Sequence, residues 1–226
     1  MNEKQSKDAE RQTGHDAAYW DRRAAFYDKA VGDGRRFHRE MYSKIRQALS
    51  PDDTVAEIAC GTGAAACAIA PQVKVVYAGD IAPGMLEIAR ARARGQGLCN
   101  IRFSLENACA LNYPDRFFDA VVICAALHLL PDPGRAMAEI RRILKPGGLL
   151  FASSYLAGQS LMSRLGNALM SLGGYRDRQM WQAEAFRNFL LDQGFTQKSC
   201  SYYPVFPVPV QYVSAQFIRQ SEEERP

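Results

Sequence analysis

The feature that most constrains this 226-residue chain is an alternation. Short apolar runs rich in β-branched residues stand at 54–59, 73–79, 100–105, 118–124 and 148–154. Between them, helical patterns cover about 63–71, 83–94 and 133–144, the last carrying Met137, Ile140, Ile143 and Leu144 on one face. Strands joined through helices cross over right-handed, and repetition of that unit builds a mainly parallel sheet covered by helices on both faces. The flanks differ. Residues 15–50 hold aromatic and aliphatic side chains at helical spacing, broken at Val31-Gly32-Asp33-Gly34, which predicts two N-terminal helices. Residues 157–180 read as a cap insertion, with Leu161, Met162, Leu165, Leu169, Met170 and Leu172 on an amphipathic helix ended by Gly173-Gly174. A helix at 181–193 follows. Two strands around Pro204, Pro207 and Pro209 then close the chain as an antiparallel edge, the place where a sheet tolerates proline. Residues 1–14 lack periodicity and read as a flexible end, which leaves 15–226 as one domain with its cofactor-type core at 51–156.

Composition narrows the function classes. With 47% hydrophobic and 23% charged residues, and no apolar run near the ~20 residues that span a bilayer, the chain reads as soluble. Its N-terminus is polar and without a secretion signal, which points to the cytoplasm. The formal charge of +4 is scattered; Arg35-Arg36 and Arg90, Arg92, Arg94 are its densest groups and read as solvated helix faces rather than a nucleic-acid groove. Six cysteines without a C-x-x-C pair imply reduced core thiols and no metal site. A monomer or a homodimer is expected.

Chemistry concentrates at Val55–Ala64, where an apolar strand runs into Gly61 and Gly63. Those glycines allow close backbone approach, and the helix after them offers free N–H groups and a positive dipole end. The second strand ends at Gly79-Asp80, nineteen residues past Gly61, where a carboxylate can accept hydrogen bonds from ribose hydroxyls. Glu57 is a charge inside an apolar strand, and its burial needs a reason. This much suits NAD and S-adenosylmethionine alike.

The succession Glu57-Ile58-Ala59-Cys60-Gly61-Thr62-Gly63, Gly79-Asp80-Ile81-Ala82-Pro83-Gly84-Met85-Leu86, Glu106-Asn107-Ala108, Phe117-Phe118-Asp119-Ala120-Val121-Val122 and Leu144-Lys145-Pro146-Gly147-Gly148 goes further. Over about residues 54–154 it resembles the class I S-adenosylmethionine-dependent methyltransferases. The nearest branch in style holds the ubiquinone/menaquinone-biosynthesis enzymes and many small-molecule methyltransferases. The resemblance implies a Rossmann-like seven-stranded, mostly parallel α/β sheet with one antiparallel edge strand and an N-terminal helical lid. It implies that Glu57, Cys60, Gly61 and Gly63 surround the methionine end of S-adenosylmethionine, that Asp80 holds the ribose, and that Ile81 and Met85 sandwich the adenine. Asn107 and the Ala108 backbone N–H would meet the adenine edge, with Asn107 standing where the family usually has aspartate. Asn112 replaces a common proline. Cys124, ending the fourth strand, would lie near the sulfonium, and Tyr27 in the lid would close over the cofactor, with Tyr19 as a further lid candidate.

The resemblance implies an acceptor that is a small, fairly apolar molecule, methylated at O, N, S or C by direct in-line displacement, with release of S-adenosylhomocysteine. Its pocket would draw on residues 157–180 and on Tyr202, Tyr203, Phe206 and Tyr212. His128, placed by the pattern at the rim of the site, is the candidate general base, since an imidazole with a pKa near ~6.5 suits that task. A rim histidine that only packs or caps a loop is the alternative. An NAD-dependent oxidoreductase lacks a convincing Tyr/Lys or His/Arg set here. A nucleic-acid methyltransferase lacks its Asp/Asn-Pro-Pro-aromatic motif, since Ile123-Cys124-Ala125-Ala126 stands in its place. A non-catalytic cofactor-binding regulator remains open.

Overall fold

The computed structural model describes residues 16–31, 36–156, 179, 181–204 and 209–217. The expected flexible end, the Met/Leu helix and nearly all of the cap at 157–180, and Phe206 lie outside the described residues. Seven strands form one sheet in the order β3-β2-β1-β4-β5-β7-β6, with helices flanking it. The chain divides into two compact units, Met1–Asn112 and Tyr113–Pro226.

The first unit holds α1 (16–21), α2 (Ala24–Val31), α3 (Arg36–Ala48), β1 (Thr54–Ile58), α4 (Ala64–Ile69), β2 (Val75–Asp80), α5 (Pro83–Gly95) and β3 (Ile101–Leu105). β1 and β2 pair in parallel, as do β2 and β3. β1 is buried almost end to end, as a parallel strand covered on both faces must be, and this is why it reads as a continuous apolar run. β3 is half exposed. Pro83 opens α5 at its first turn, where a missing N–H costs nothing. α3 buries Phe37, His38, Met41 and Ile45 on one side, the spacing that the N-terminal pattern predicted.

The second unit holds β4 (Phe118–Cys124), α6 (Pro133–Ile143), β5 (Leu144–Tyr155), α7 (Ala183–Asp192), β6 (Phe195–Tyr203) and β7 (Val210–Phe217). β4 and β5 are parallel, whereas β7 runs antiparallel to both β5 and β6. The antiparallel edge is therefore present, and its reversed strand sits one place in, between β5 and β6. Asp132 caps α6 by accepting from the Arg135 N–H at 2.9 Å. The Lys145-Pro146-Gly147-Gly148 segment bulges from β5: Phe118 faces Leu144, yet Ala120 already faces Leu149. Gly147 is left-handed at φ 77°. At Gly148 a Cβ would meet the Leu144 side chain at 2.8 Å and the Asp119 carbonyl oxygen at 2.9 Å, so only glycine closes this bulge. The Lys145 ammonium pairs with Asp119 at 2.5 Å.

Candidate functional site

In the first unit, β1 ends in a run of left-handed residues: Ala59 at φ 55°, Gly61 at 52° and Gly63 at 74°. The glycines adopt this at no cost, but Ala59 stores strain of about 1–2 kcal/mol. An alanine carries no local signature of such a conformation. Gly63 is required a second time, by packing, because its Cβ would lie 2.8 Å from the Ala89 Cβ on α5. The turn is laced to β2 by the Cys60 N–H donating to the Gly79 carbonyl at 2.9 Å.

Asp80 is the keystone of this turn. Its Oδ2 accepts from the Gly61 N–H at 2.7 Å and its Oδ1 from the Ala82 N–H at 2.9 Å. Burial pushes its pKa up, and the Ala82, Gly61 and Ile81 N–H groups hold that rise in check. A carboxylate has about four acceptor positions, so about one remains for a ligand hydroxyl.

Glu57 is 3% exposed. Its carboxyl accepts from the Ala66 N–H, one of the free donors at the start of α4, while Oε2 has no partner. Burial is the main reason its pKa rises from 4.5 to about 8; Asp80 adds to the rise, and the Ala66 N–H and Arg92 oppose it. Cys60 is buried, its thiol pushed well above its ordinary value first by burial and then by Glu57 and Asp80, so it is an inert wall.

The N-terminal helices reach this turn. The Tyr27 ring lies 3.8 Å from where a Gly61 Cβ would stand. Asp28 bridges two elements, accepting from the Thr62 hydroxyl at 2.6 Å and pairing with Arg92 of α5 at 2.5 Å. Asp21 accepts from the Gly84 N–H at 2.6 Å, capping α5 from another helix. Asp21, Asp28, Thr62 and Arg92 were missed as site residues; their partners lie far away in sequence, where no local spacing points to them. Ala24, Ala82 and Met85 form a small core against which Trp20, Tyr27, Ile81 and Ile88 pack. Met85 is 2% exposed and Ile81 half-buried, so of the expected adenine pair Ile81 keeps the free surface and Met85 backs it. Tyr19 stacks edge-on against Trp20, with the Arg23 guanidinium 3.8 Å over its ring.

Asn107 spends one carbonyl lone pair on its own turn, its Oδ1 accepting from the Cys109 N–H at 2.9 Å. Ala108, next to it, is buried. The Glu106 carboxylate takes the Asn112 N–H at 3.1 Å, which ties the loop.

In the second unit, Cys124 ends β4 half-buried, opposite Ser153. Ala125 is left-handed at φ 51°, and its N–H donates to the Ser153 carbonyl at 2.9 Å. The chain then turns into a 3-10 helix, Leu127–Leu129. Here the rim expectation for His128 is corrected: the side chain is 0% exposed, and burial lowers its pKa from 6.5 to about 3. The apolar Leu127 and Leu129 beside it were the legible clue. Its Nδ1 lies 3.3 Å from the Ser154 hydroxyl, and its ring meets Tyr155 edge-on. Tyr212 and Tyr203 are buried on β7 and β6, whereas Tyr202 is exposed. Among the described residues no cluster of His, Cys, Asp and Glu could hold a metal, and no helix is long and apolar enough to cross a membrane.

Residues 56–152 match the family model of a methyltransferase domain. A demethylmenaquinone methyltransferase of Symbiobacterium thermophilum is 36% identical over 124 residues, 53% of this chain and 48% of that protein. The chain spans about half the length of the curated relatives it matches. Among solved structures, an S-adenosylmethionine-dependent methyltransferase of Methanosarcina mazei superposes with a TM-score of 0.65 at 23% identity, over 78% of this chain and 97% of that one. The 4+2 cyclase SpnF superposes with a TM-score of 0.73 at 19% identity, over 92% and 97%. These structural likenesses establish the fold; the cyclase is a reminder that the fold alone does not name a reaction.

Proposed function

We propose that this chain, which belongs with the class I S-adenosylmethionine-dependent methyltransferases, moves a methyl group by direct in-line displacement to a small, fairly apolar acceptor. The observation that carries the reading is the paired acid geometry at the β1 turn. A buried Glu57 oxygen without a partner and a buried Asp80 with one acceptor position left fit a ligand that brings an ammonium group and a ribose. A pyrophosphate would instead meet two buried carboxylates, which argues against NAD. When bound, S-adenosylmethionine supplies an activated methyl on a sulfonium sulfur.

The residues then divide the work. Glu57 accepts from the ammonium and Asp80 from a ribose hydroxyl, while Gly61 and Gly63 let the chain approach closely. Ile81, backed by Met85, walls the adenine, and Asn107 with the Ala108 N–H reads its edge. Cys60 offers an uncharged sulfur surface toward the methionine end, and Tyr27 closes over Gly61. A histidine whose conjugate acid is held to about 3 is a weak base at neutral pH, so His128 serves as a neutral hydrogen-bonding group rather than a proton acceptor. The chain's contribution is alignment and exclusion of water. The relatives named demethylmenaquinone methyltransferase make demethylmenaquinone the first acceptor to test.

Calorimetric titration with S-adenosylhomocysteine and with NADH tests the reading. The first should bind and the second should not, and Asp80→Ala should weaken the first at least about a hundredfold, the loss of one charge-assisted bond and of the turn it holds. Full affinity in Asp80→Ala would overturn the assignment.

A further inference from the structure

The first unit carries a charge network beyond the cofactor's own contacts. Asp28 on α2 divides its carboxylate: Oδ1 accepts from the Thr62 hydroxyl at 2.6 Å, and Oδ2 pairs with the Arg92 guanidinium at 2.5 Å. Thr62 stands between Gly61 and Gly63, so α2 holds the middle of the β1 turn. Arg92 comes from the other side. It follows Ala89 by three residues on α5, and Ala89 is the residue that packs on Gly63, so α5 turns both toward the β1 turn. The Arg92 side chain is 17% exposed.

Glu57 is the group this network surrounds. β2 sets Asp80 near it, the turn sets Cys60, α4 gives the Ala66 N–H and α5 gives Arg92. Arg92 is the one positive charge among these, yet it does not keep Glu57 ionised. Burial first and Asp80 after it outweigh Arg92 and the Ala66 N–H, and the carboxyl keeps its proton to about pH 8. The pairing with Asp28 gives a physical reason. A guanidinium 2.5 Å from a carboxylate acts at longer range as a dipole, whose field falls off faster than that of a single charge. α2 itself is held lightly. Among its described side chains only Ala24 is buried, and Phe26 is 68% exposed. A segment with so little buried apolar surface opens locally at small cost.

We propose that Asp28 and Arg92 set the charge that Glu57 offers to the cofactor's ammonium, and that the position of α2 switches it. With α2 down on an empty turn, Asp28 neutralises Arg92 and Glu57 stays an uncharged acid. With α2 lifted, Arg92 acts on Glu57 undivided. The acid then gives its proton to solvent, and the carboxylate meets the incoming ammonium. Once bound, the ammonium takes over as the partner of Glu57, and α2 returns to Thr62. This rests on the methyltransferase reading, which supplies the ammonium, and deepens it by naming the residues that control capture.

Difference infrared spectroscopy of the ligand-free chain reads the Glu57 acid directly, with Glu57→Gln as the reference spectrum. The protonated-carboxyl band should fade with a midpoint near pH 8 in the wild-type chain. Asp28→Asn keeps an oxygen for Thr62 and leaves Arg92 unneutralised. Its midpoint should fall by about half a pH unit or more, about a threefold change in the ratio of ionised to neutral acid. Arg92→Gln removes the positive charge and should raise the midpoint by a similar amount, while Arg92→Lys should restore the wild-type value. Both neutral variants disturb the same ion pair, so a clasp with no other role would move the two midpoints the same way or leave both in place. Either result would overturn the proposal. Should one of them fail to fold, Asp28→Ser and Arg92→Met remove the same charges. Calorimetric titration with S-adenosylhomocysteine at pH 7, in two buffers of different ionisation enthalpy, should show proton release by the wild-type chain and less by Asp28→Asn. No binding at any pH sinks the methyltransferase reading, whereas binding with unmoved midpoints sinks only the switch.

Discussion

Glu57→Gln should separate stability from cofactor binding. In the folded chain the carboxyl keeps its proton up to about pH 8, whereas an unfolded chain releases it above about 4.5. Between those values the folded state binds more protons, so Glu57 makes stability fall as pH rises through that window. At pH 7.5 an unfolded carboxyl stands about three units above its own value of 4.5 while the folded one still keeps most of its proton, and three units at 1.36 kcal/mol each is about 4 kcal/mol. Glutamine carries no such penalty. It keeps an oxygen for the Ala66 N–H, and like the protonated acid it leaves one polar atom without a partner, so that term cancels. The ligand-free variant should therefore gain about 4 kcal/mol at pH 7.5, on the order of 10 °C for a chain of this size, and nothing at pH 4. Cofactor affinity should move the other way. A carboxylate that meets an ammonium contributes about 1.5–3 kcal/mol, so the variant should bind S-adenosylhomocysteine roughly 10- to 150-fold more weakly above pH 8 and about equally near pH 5.5. Urea denaturation and calorimetric titration across pH 4–9 measure both. A stability difference between the two proteins that does not change from pH 4 to 8.5 would refute the argument.

Three further outcomes follow from named contacts. Asp28→Ala breaks the bridge from Thr62 to Arg92; on a partly exposed pair the loss of stability should be within about 1 kcal/mol, but stopped-flow release of S-adenosylhomocysteine should speed up several-fold. Gly63→Ala adds a Cβ 2.8 Å from that of Ala89 at a left-handed position; urea denaturation should show a loss of about 2–3 kcal/mol, together with lost cofactor binding. His128 stays neutral in the folded chain down to about pH 3 while an unfolded chain takes up a proton below 6.5, so the folded state loses stability as pH falls through that range. His128→Phe should flatten this acid limb in denaturation profiles, and the wild-type pH–rate curve should show no inflection from this residue near 6.5.

The legible and illegible parts of this chain differ in range. Strand and helix alternation is local, so β1, β2, α5, β4 and α6 fell where periodicity put them. The β1 turn was legible because glycine at 61 and 63 and an acid at the end of β2 are each demanded by short-range geometry. Asp80 proved to do more than the pattern said, since its bonds to Gly61 and Ala82 depend on how β1 and β2 stop side by side. Asp21 and Asp28 act on groups 63, 34 and 64 residues away in sequence, and no spacing rule reports such distances. His128 was misplaced because a polar residue after a strand reads as rim, while the left-handed Ala125 that turns it inward has no signature in an alanine.

The Lys145–Gly148 bulge acts on a site that it never touches. β5 takes five steps from Leu144 to Leu149 while β4 takes two from Phe118 to Ala120, and the crowding at Gly148 fixes that count. Everything downstream on β5 inherits it. One residue more would turn Ser154 to the opposite face and bring Ser153 round to His128. A turn roughly 20 Å along the strand thus decides which of two adjacent serines the histidine meets.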